Sequence, residues 1–499
     1  MCGIAGGHGH ARADDGRRML ARLVHRGPDD EGEVQANGSW LGHRRLSIVD
    51  VDGGRQPLVN EAGDLWLVGN GEVYNHEEVR AGLPAASFAT RSDNEVALHL
   101  LGSHDPAALD RLEGMYAFLA AGADGFFLAA RDPVGIKPLY WARRGGAVRF
   151  ASEMAAFDAD WLPHVESFPP GCHWTPERGL ERFASAVAAP ADPPGTRAMA
   201  LDQTRAALIA SVERQMMGDV PVGVFLSGGL DSSLIAAIAA RYLAERGRRL
   251  QTFAVGTDAS PDLLAARVVA EHLGTDHHER VYTAGEAVGA VPLVVRAIEH
   301  FDPSLVRSAV PNYLLAELAS CHVKVVLTGE GADELFAGYE YLRELEGAEA
   351  LQDEMVRTVE GLHDLNLQRC DRVTMAHGLE ARVPFLDRQV IAFALGLPPQ
   401  WKLAGPDEPE KRLLREAFDG WLPPDLLWRE KSQFGDGSGA AAVLTRRMEQ
   451  SVTEEDFERE AGSIDPPLRT REELAYYRIF AAHLPGVCPA RTVSRFATP

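Results

Sequence analysis

The chain lacks the features that would place it in a membrane or outside a cell. Its 499 residues include five cysteines, at positions 2, 172, 321, 370 and 488. So few and so scattered, they suggest neither a disulfide framework nor a CxxC metal site, and a reducing compartment fits them best. No uninterrupted apolar run reaches membrane-spanning length. The amino terminus lacks the basic-then-apolar order of a secretory signal, since Cys2 is followed by small residues and then by His8, His10 and Arg12. A cytoplasmic location is the expectation. Basic charge is scarce as well: 50 Lys and Arg against 72 Asp and Glu give a formal net charge of −22, which makes nucleic acid a poor partner. Phosphorylated small molecules stay open, because glycine turns and helix N-termini bind phosphate inside an acidic protein.

What is present points to two domains. With 45% hydrophobic and 24% charged residues, the composition is that of a soluble protein too long for one core. The first half carries short strand-like runs between turn residues: Ser39-Trp40-Leu41, Leu65 to Val68, Ala117-Phe118-Leu119, Gly125 to Leu128 and Val148 to Phe150. Stacked antiparallel sheets flanked by helices suit them. The Ala/Pro-rich stretch VAAPADPPGTRAMA at 187–200 loses apolar periodicity, which sets a boundary near 195 and domains of 2–195 and 196–499. Beyond it the rhythm becomes βαβ: a buried strand over Val220 to Leu226, a helix from Asp231 to Leu243, and strands over Gln251 to Val255 and Val323 to Leu327. That is the pattern of a doubly wound parallel sheet, whose ligands sit at the carboxyl ends of the strands. The fold class expected is therefore α/β and α+β in two domains, with a helical C-terminal part.

Removal of Met1 would leave Cys2 with a free α-amine beside its thiol, a nucleophile with its own general base. A second-position cysteine alone is more often incidental. Around this one, however, stand MCGIAG, LVHRGPDDEG from Leu23, HRRLSIVD from His43, NGEVYNH from Asn70 and TRSDNEV from Thr90. A zwitterionic amino acid needs a cation for its carboxylate and acceptors for its ammonium, and Arg45 and Asp93 suit those tasks. Two blander readings compete: Ser92 to Glu95 spells a capping box ahead of Val96, and Arg45 suits a surface ion pair. The five motifs, in this order, resemble the class II, N-terminal-nucleophile glutamine amidotransferase domain from Cys2 to about Pro170. The resemblance implies Cys2 as the glutaminase nucleophile and Arg45, Leu46, Ser47, Ile48 and Val49 along the glutamine site. It also implies Asn70 and Gly71 as the oxyanion hole, Glu72 against the substrate and Asp93 on its amino group.

In the second half, VGVFLSGGLDSSL from Val222 sets two glycines between a strand and a helix. Backbone amides there can cradle a pyrophosphate, with the hydroxyls of Ser227, Ser232 and Ser233 as further donors. The carboxylate of Asp231 would repel phosphate and so better suits Mg²⁺ accompanying a nucleotide. The loop lacks the GK[ST] of a Walker motif, which argues against transfer of a terminal phosphate. It resembles the pyrophosphate loop of ATP pyrophosphatases, enzymes that adenylate a carboxylate. Around the ATP, the resemblance implies Leu226, Ser227, Gly228, Gly229, Asp231, Ser232, Ser233, Val255, Thr328 and Gly329, although Leu226 and Val255 also read as ordinary buried strand residues. LTGEGADELFAGYEY from Leu327, HGLEARVPFLDR from His377, WREKSQFGDGSG from Trp428 and FDPSLVRSAVPNYL from Phe301 complete a likeness to the glutamine-hydrolysing asparagine synthetase family. It implies Glu330 and Lys431 as catalytic groups, Asp333 beside Asp231 at the metal, and Arg307, Asp333, Arg382 and Asp387 around the acceptor. A solvated ammonium is the default for a lone lysine such as Lys431. The cofactors expected are ATP and Mg²⁺, the other partners glutamine and a carboxylate acceptor such as aspartate, with room for a homodimer. Thr328 and the string Ser308-Ala309-Val310 depart from some members, so amidation of another carboxylate is the alternative. A ligand-binding protein without turnover is a third reading, against which intact Cys2, Asn70, Asp231, Glu330 and Lys431 weigh.

Overall fold

The computed structural model describes residues 2–9, 11–83, 87–187, 193–403, 405, 408–429, 439 and 441–496. In the first half, two six-stranded antiparallel sheets lie face to face. One runs, edge to edge, Val165–Ser167, Tyr140–Arg144, Ala147–Ala151, Cys2–His8, Ser39–Arg45 and Asp30–Ala36. The other runs Gly179–Arg182, Cys172–Thr175, Phe127–Arg131, Gly114–Gly122, Leu65–Val73 and Leu58–Val59.

The period-two geometry of strands explains the layering. Along Gly114–Gly122, Ala117, Leu119 and Ala121 face the partner sheet, where they meet Ile4, Leu41 and Phe150. The alternate residues Tyr116, Phe118 and Ala120 pack instead with Val96 and Leu98 of the outer helix Glu95–Leu100. With both faces covered, this strand reads as a continuous apolar run. The expected strand from Gly125 begins only at Phe127, because the Asp124 side chain accepts the Phe126 amide and turns the chain there.

The second half contains a five-stranded parallel sheet in the order Asp276–Val281, Gln251–Gly256, Val222–Phe225, Val325–Leu327, Glu380–Arg382. The chain extends outward from Val222–Phe225 in both directions, so that strand marks the switch point, and the turns after it and after Val325–Leu327 share one carboxyl edge. The strands expected over Val220 to Leu226 and Val323 to Leu327 are shorter than their apolar runs, and Glu380–Arg382 was not foreseen. Helices cover both faces and make up the rest of this half, down to Arg471–His483. Among the described residues no helix is long and apolar enough to cross a membrane.

The halves are joined through polar contacts, buried and exposed, as well as a shared apolar core. Glu299 accepts the amides of Met154 and Ala155 at 2.8 and 2.6 Å, and Arg388 donates to Asp110 at 3.0 Å.

Candidate active sites

Cys2 opens the central strand of the first sheet, paired with Arg45 across the ladder, and is almost wholly buried. Its amide donates to Asn70 Oδ1 at 2.9 Å, and Arg26 Nε donates to its carbonyl at 3.1 Å. Burial pushes the thiol up, a push that the Leu46 backbone hydrogen bond opposes and Glu72 and Glu380 reinforce. With Oδ1 of Asn70 occupied, its buried Nδ2 has no protein partner. An unsatisfied buried donor costs about 1–3 kcal/mol, which an incoming oxygen would recover. Next to it Gly71 has φ +136°, and a Cβ there would lie 1.9 Å from the Met115 carbonyl, so only glycine fits.

The residues expected to bind glutamine gather round this point. Leu46, Ser47, Ile48 and Val49 leave the strand Ser39–Arg45 as a bend held by Arg45, which donates to the carbonyls of Val49, Asp50 and Val51 at 3.2, 2.7 and 2.9 Å. Buried as it is, Arg45 is not a surface ion pair. Asp93 is not part of a capping box either: the helix starts at Glu95 with no side-chain cap, and the Glu95 carboxylate turns back to the amides of Ala89 and Thr90. Asp93 instead accepts the Val73 amide at 2.6 Å and Asn94 Nδ2 at 3.1 Å. Glu72 is buried, with Oε2 unpartnered; desolvation, Glu380 and Asp93 raise its carboxyl well above the usual range.

At the carboxyl edge of the parallel sheet, the turn after Val222–Phe225 closes through its own serines. The Leu226 amide donates to the Phe253 carbonyl beside Val255, fixing the turn's entry. Ser227 N donates to Ser232 Oγ at 3.2 Å, and Gly229 N to Ser227 Oγ at 3.4 Å. Gly228 has φ +72°, with Ala265 so near that a Cβ would come within 2.5 Å of its side chain. Gly229 precedes the helix Leu230–Ala244, whose first turn holds Asp231, Ser232 and Ser233; the buried Ser233 hydroxyl has no protein partner. A narrow turn, a helix start and an unpaired hydroxyl donor fit a phosphate chain. The second turn touches the first: a Cβ on Gly329 would sit 2.8 Å from that of Asp231.

Across these turns Asp231 and Asp333 converge on Lys411. Its ammonium donates to Asp231 at 2.8 and 2.6 Å and to Asp333 at 2.8 Å, and these carboxylates hold its pKa above the ordinary lysine value despite burial. Glu330 forms an ion pair with Arg369, and desolvation leaves its carboxyl above the usual range.

The expected acceptor residues are not brought together. The Arg382 guanidinium turns away from the nucleotide turns to Glu380 at 2.6 Å, the carbonyls of Gln215 and Met217 at 2.5 Å each, and Glu72 at 3.6 Å. It serves the junction of the two halves, where it stands between the buried carboxylates of Glu72 and Glu380. Asp387 caps the helix Arg388–Gly396 through the Gln389 amide at 2.9 Å and pairs with Arg214 at 2.8 Å. Arg307 reaches Thr445 at 3.2 Å and Glu472 at 3.7 Å. Lys431 lies outside the described residues; Arg429, just before it, donates to the Gly228 carbonyl at 3.2 Å.

Family comparisons agree with this division of labour. The Asparagine synthase family model matches residues 203–350 and 341–488, and the Glutamine amidotransferase domain matches residues 1–167. The chain belongs to the asparagine synthase family. It is 38% identical to an asparagine synthetase [glutamine-hydrolyzing] of Asparagus officinalis over 531 residues, covering all of this chain and 88% of that relative. A relative of the same name from Sandersonia aurantiaca is 38% identical, with 98% and 97% of the two chains covered. One from Oryza sativa subsp. japonica is 40% identical over 461 residues, covering 88% and 78%.

Within this family member, three residues at the sites escaped sequence reasoning. Lys411 sits in the charged run PDEPEKRLLRE, where nothing distinguishes it from a solvated lysine. Arg26 lay inside a motif that was read as a whole, and Arg369 follows an ordinary helical pattern. Each is defined by a partner remote in sequence, which spacing cannot reveal.

Proposed function

We propose that this chain makes asparagine from aspartate, ATP and glutamine, releasing AMP and pyrophosphate. The carrying observation is one chain with two built sites: buried Cys2 against buried Asn70, and a serine-glycine turn touching a paired-carboxylate turn at a parallel sheet's edge. In the first, the Cys2 thiolate attacks the glutamine amide, with its α-amine as base once Met1 is removed. Asn70 Nδ2 and the Gly71 amide receive the oxyanion, and Arg45 and Asp93 fix the two charged ends of glutamine. Collapse of the tetrahedral intermediate expels ammonia, which takes its proton from the α-ammonium, and leaves a thioester from which water releases glutamate and the thiol.

In the second site, Ser227, Gly228, Gly229, Ser232 and Ser233 grip the phosphates, while Leu226, Val255, Thr328 and Gly329 border the adenosine. The aspartate side-chain carboxylate attacks the α-phosphate and pyrophosphate leaves; ammonia then displaces AMP, with Glu330 taking a proton and Lys431 balancing charge. Asp231 and Asp333 suit Mg²⁺, since both already lie within 2.8 Å of one cation. These two carboxylates would hold the ion, which would offset phosphate charge. Division of the chain near residue 195, a cytoplasmic location and a homodimer belong to the same proposal. The test is to supply purified protein with MgATP, glutamine and aspartate and to identify the products; asparagine, glutamate, AMP and pyrophosphate in equal amounts support it, and absence of pyrophosphate sinks it.

The prior engagement of Arg307, Arg382 and Asp387 favours one second reading, amidation of a different carboxylate. Pyrophosphate release measured over a panel of acids separates the two.

A further inference from the structure

The turn Thr328 to Gly331 is held by two elements that also reach the Cys2 pocket. The first is the helix Asn366–Met375. An α-helix advances about 100° per residue, so its successive residues Arg369, Cys370, Asp371 and Arg372 point round the whole circumference. All four are buried. On one side Arg369 pairs with Glu330, and Cys370 Sγ lies 3.9 Å from Thr328 Oγ1. On the other, Asp371 lies 2.9 Å from Arg26 Nη1, and Arg26 in turn holds the Cys2 carbonyl. Arg372 completes that side by pairing with Glu153, which also binds Arg26.

The second element is the strand Glu380–Arg382. The Arg382 carbonyl accepts the Thr328 amide at 2.9 Å, while its guanidinium faces Glu72 at 3.6 Å. Two paths therefore run from one nucleotide-site residue, Thr328, to the two flanks of the amidotransferase pocket.

Stability gives little reason for this arrangement. Burying an ion costs on the order of several kcal/mol, and apolar replacements of buried ion pairs are often neutral or stabilising. A helix turn that buries three charged residues, Arg369, Asp371 and Arg372, points to a task of positioning.

We infer that Asp371, from the nucleotide-binding half, is a positioning residue for the Cys2 pocket, and that through it and Arg382 the Thr328 to Gly331 turn sets the rate of glutamine hydrolysis. This deepens the proposed function and rests on it. Nucleotide and acceptor at the turn shift the helix and strand; Arg26 and Glu72 move with them, and the pocket is tightened when an acceptor for ammonia is present.

The test compares the full-length protein with Asp371→Asn, which keeps shape and removes charge. Glutamate formation is measured with and without MgATP plus aspartate, alongside pyrophosphate release driven by added ammonium. The wild type is expected to hydrolyse glutamine several-fold faster with the synthetase substrates present, mainly through a lower KM. Asp371→Asn should lose most of that response yet keep ammonium-driven pyrophosphate release within about twofold, and Asp371→Glu should restore part of it. A variant that responds as the wild type does overturns the inference. If Asp371→Asn loses ammonium-driven release too, Cys370→Ala decides: it cuts the helix only from Thr328, and an unchanged response to MgATP and aspartate overturns the inference. A wild type that forms glutamate and asparagine but shows no such response defeats this inference and leaves the proposed function standing; one that forms no glutamate defeats the proposed function itself.

Discussion

Around Cys2 the polar side chains are fixed by the main chain. Arg45 is tied to three carbonyls, Asp93 to the Val73 amide and Asn70 to the Cys2 amide, all on or beside strands of two sealed sheets. Around Asp231, side chains hold side chains: Lys411 bridges two aspartates and Arg369 pairs with Glu330, on turns at the open edge of a parallel sheet. The first arrangement is preorganised at its centre by main-chain hydrogen bonds, while its Arg26 and Glu72 flanks lean on side chains of the other half. The second balances its charges internally and has to exchange partners when phosphates arrive. A site for releasing ammonia whose centre is fixed by the main chain is thus joined to an adaptable site for receiving it.

The comparison breaks most visibly at the nucleophile. Cys2→Ala should lower glutamine-driven asparagine formation by about three orders of magnitude or more, while ammonium-driven formation stays within about twofold. Equal loss of both would show that the two regions are not separable. Next in size is Asn70→Ala, which removes a donor to the oxyanion: glutaminase kcat should fall about 10²-fold to 10³-fold with little change in the glutamine KM. A change confined to KM would instead make Asn70 a ground-state contact.

Lys411→Met probes the adaptable side. Without that ammonium, Asp231 and Asp333 repel one another, and pyrophosphate release should fall about tenfold or more, with glutaminase little altered. Nucleotide-free protein should then bind Mn²⁺ more tightly than the wild type in a direct titration; unchanged binding would show that Lys411 does not compete for that position. The smallest effect is expected from Asp93→Asn, which exchanges a carboxylate for an amide at the position proposed for the glutamine ammonium and should raise the glutamine KM about tenfold at constant kcat. Initial rates against glutamine concentration check it.

The same contrast governs what the sequence disclosed. Features fixed by local backbone were the more legible: the sheet architecture followed from strand periodicity and the SGGLDSS turn from its glycines and serines, while Gly71 was marked only by the family resemblance. The alternating faces of Gly114–Gly122 left only a continuous apolar run, because both faces are buried. The contacts of residues held by a distant partner were not legible. Arg382 shares a motif with residues of the nucleotide edge, yet its charge belongs to Glu72 and Glu380; Asp387 caps a helix; Lys411 is defined only by carboxylates 180 and 78 positions away. Local spacing carries no information about such pairs.

The central claim is that nitrogen passes within the molecule from Cys2 to the carboxylate activated at the Asp231 edge. It is tested most directly with amide-¹⁵N glutamine, MgATP and aspartate in the presence of excess unlabelled ammonium. The account predicts asparagine whose amide carries mostly ¹⁵N, formed with equal amounts of AMP and pyrophosphate. Asparagine carrying only the diluted label of the bulk ammonium, or glutamate formed with no asparagine at all, would contradict it.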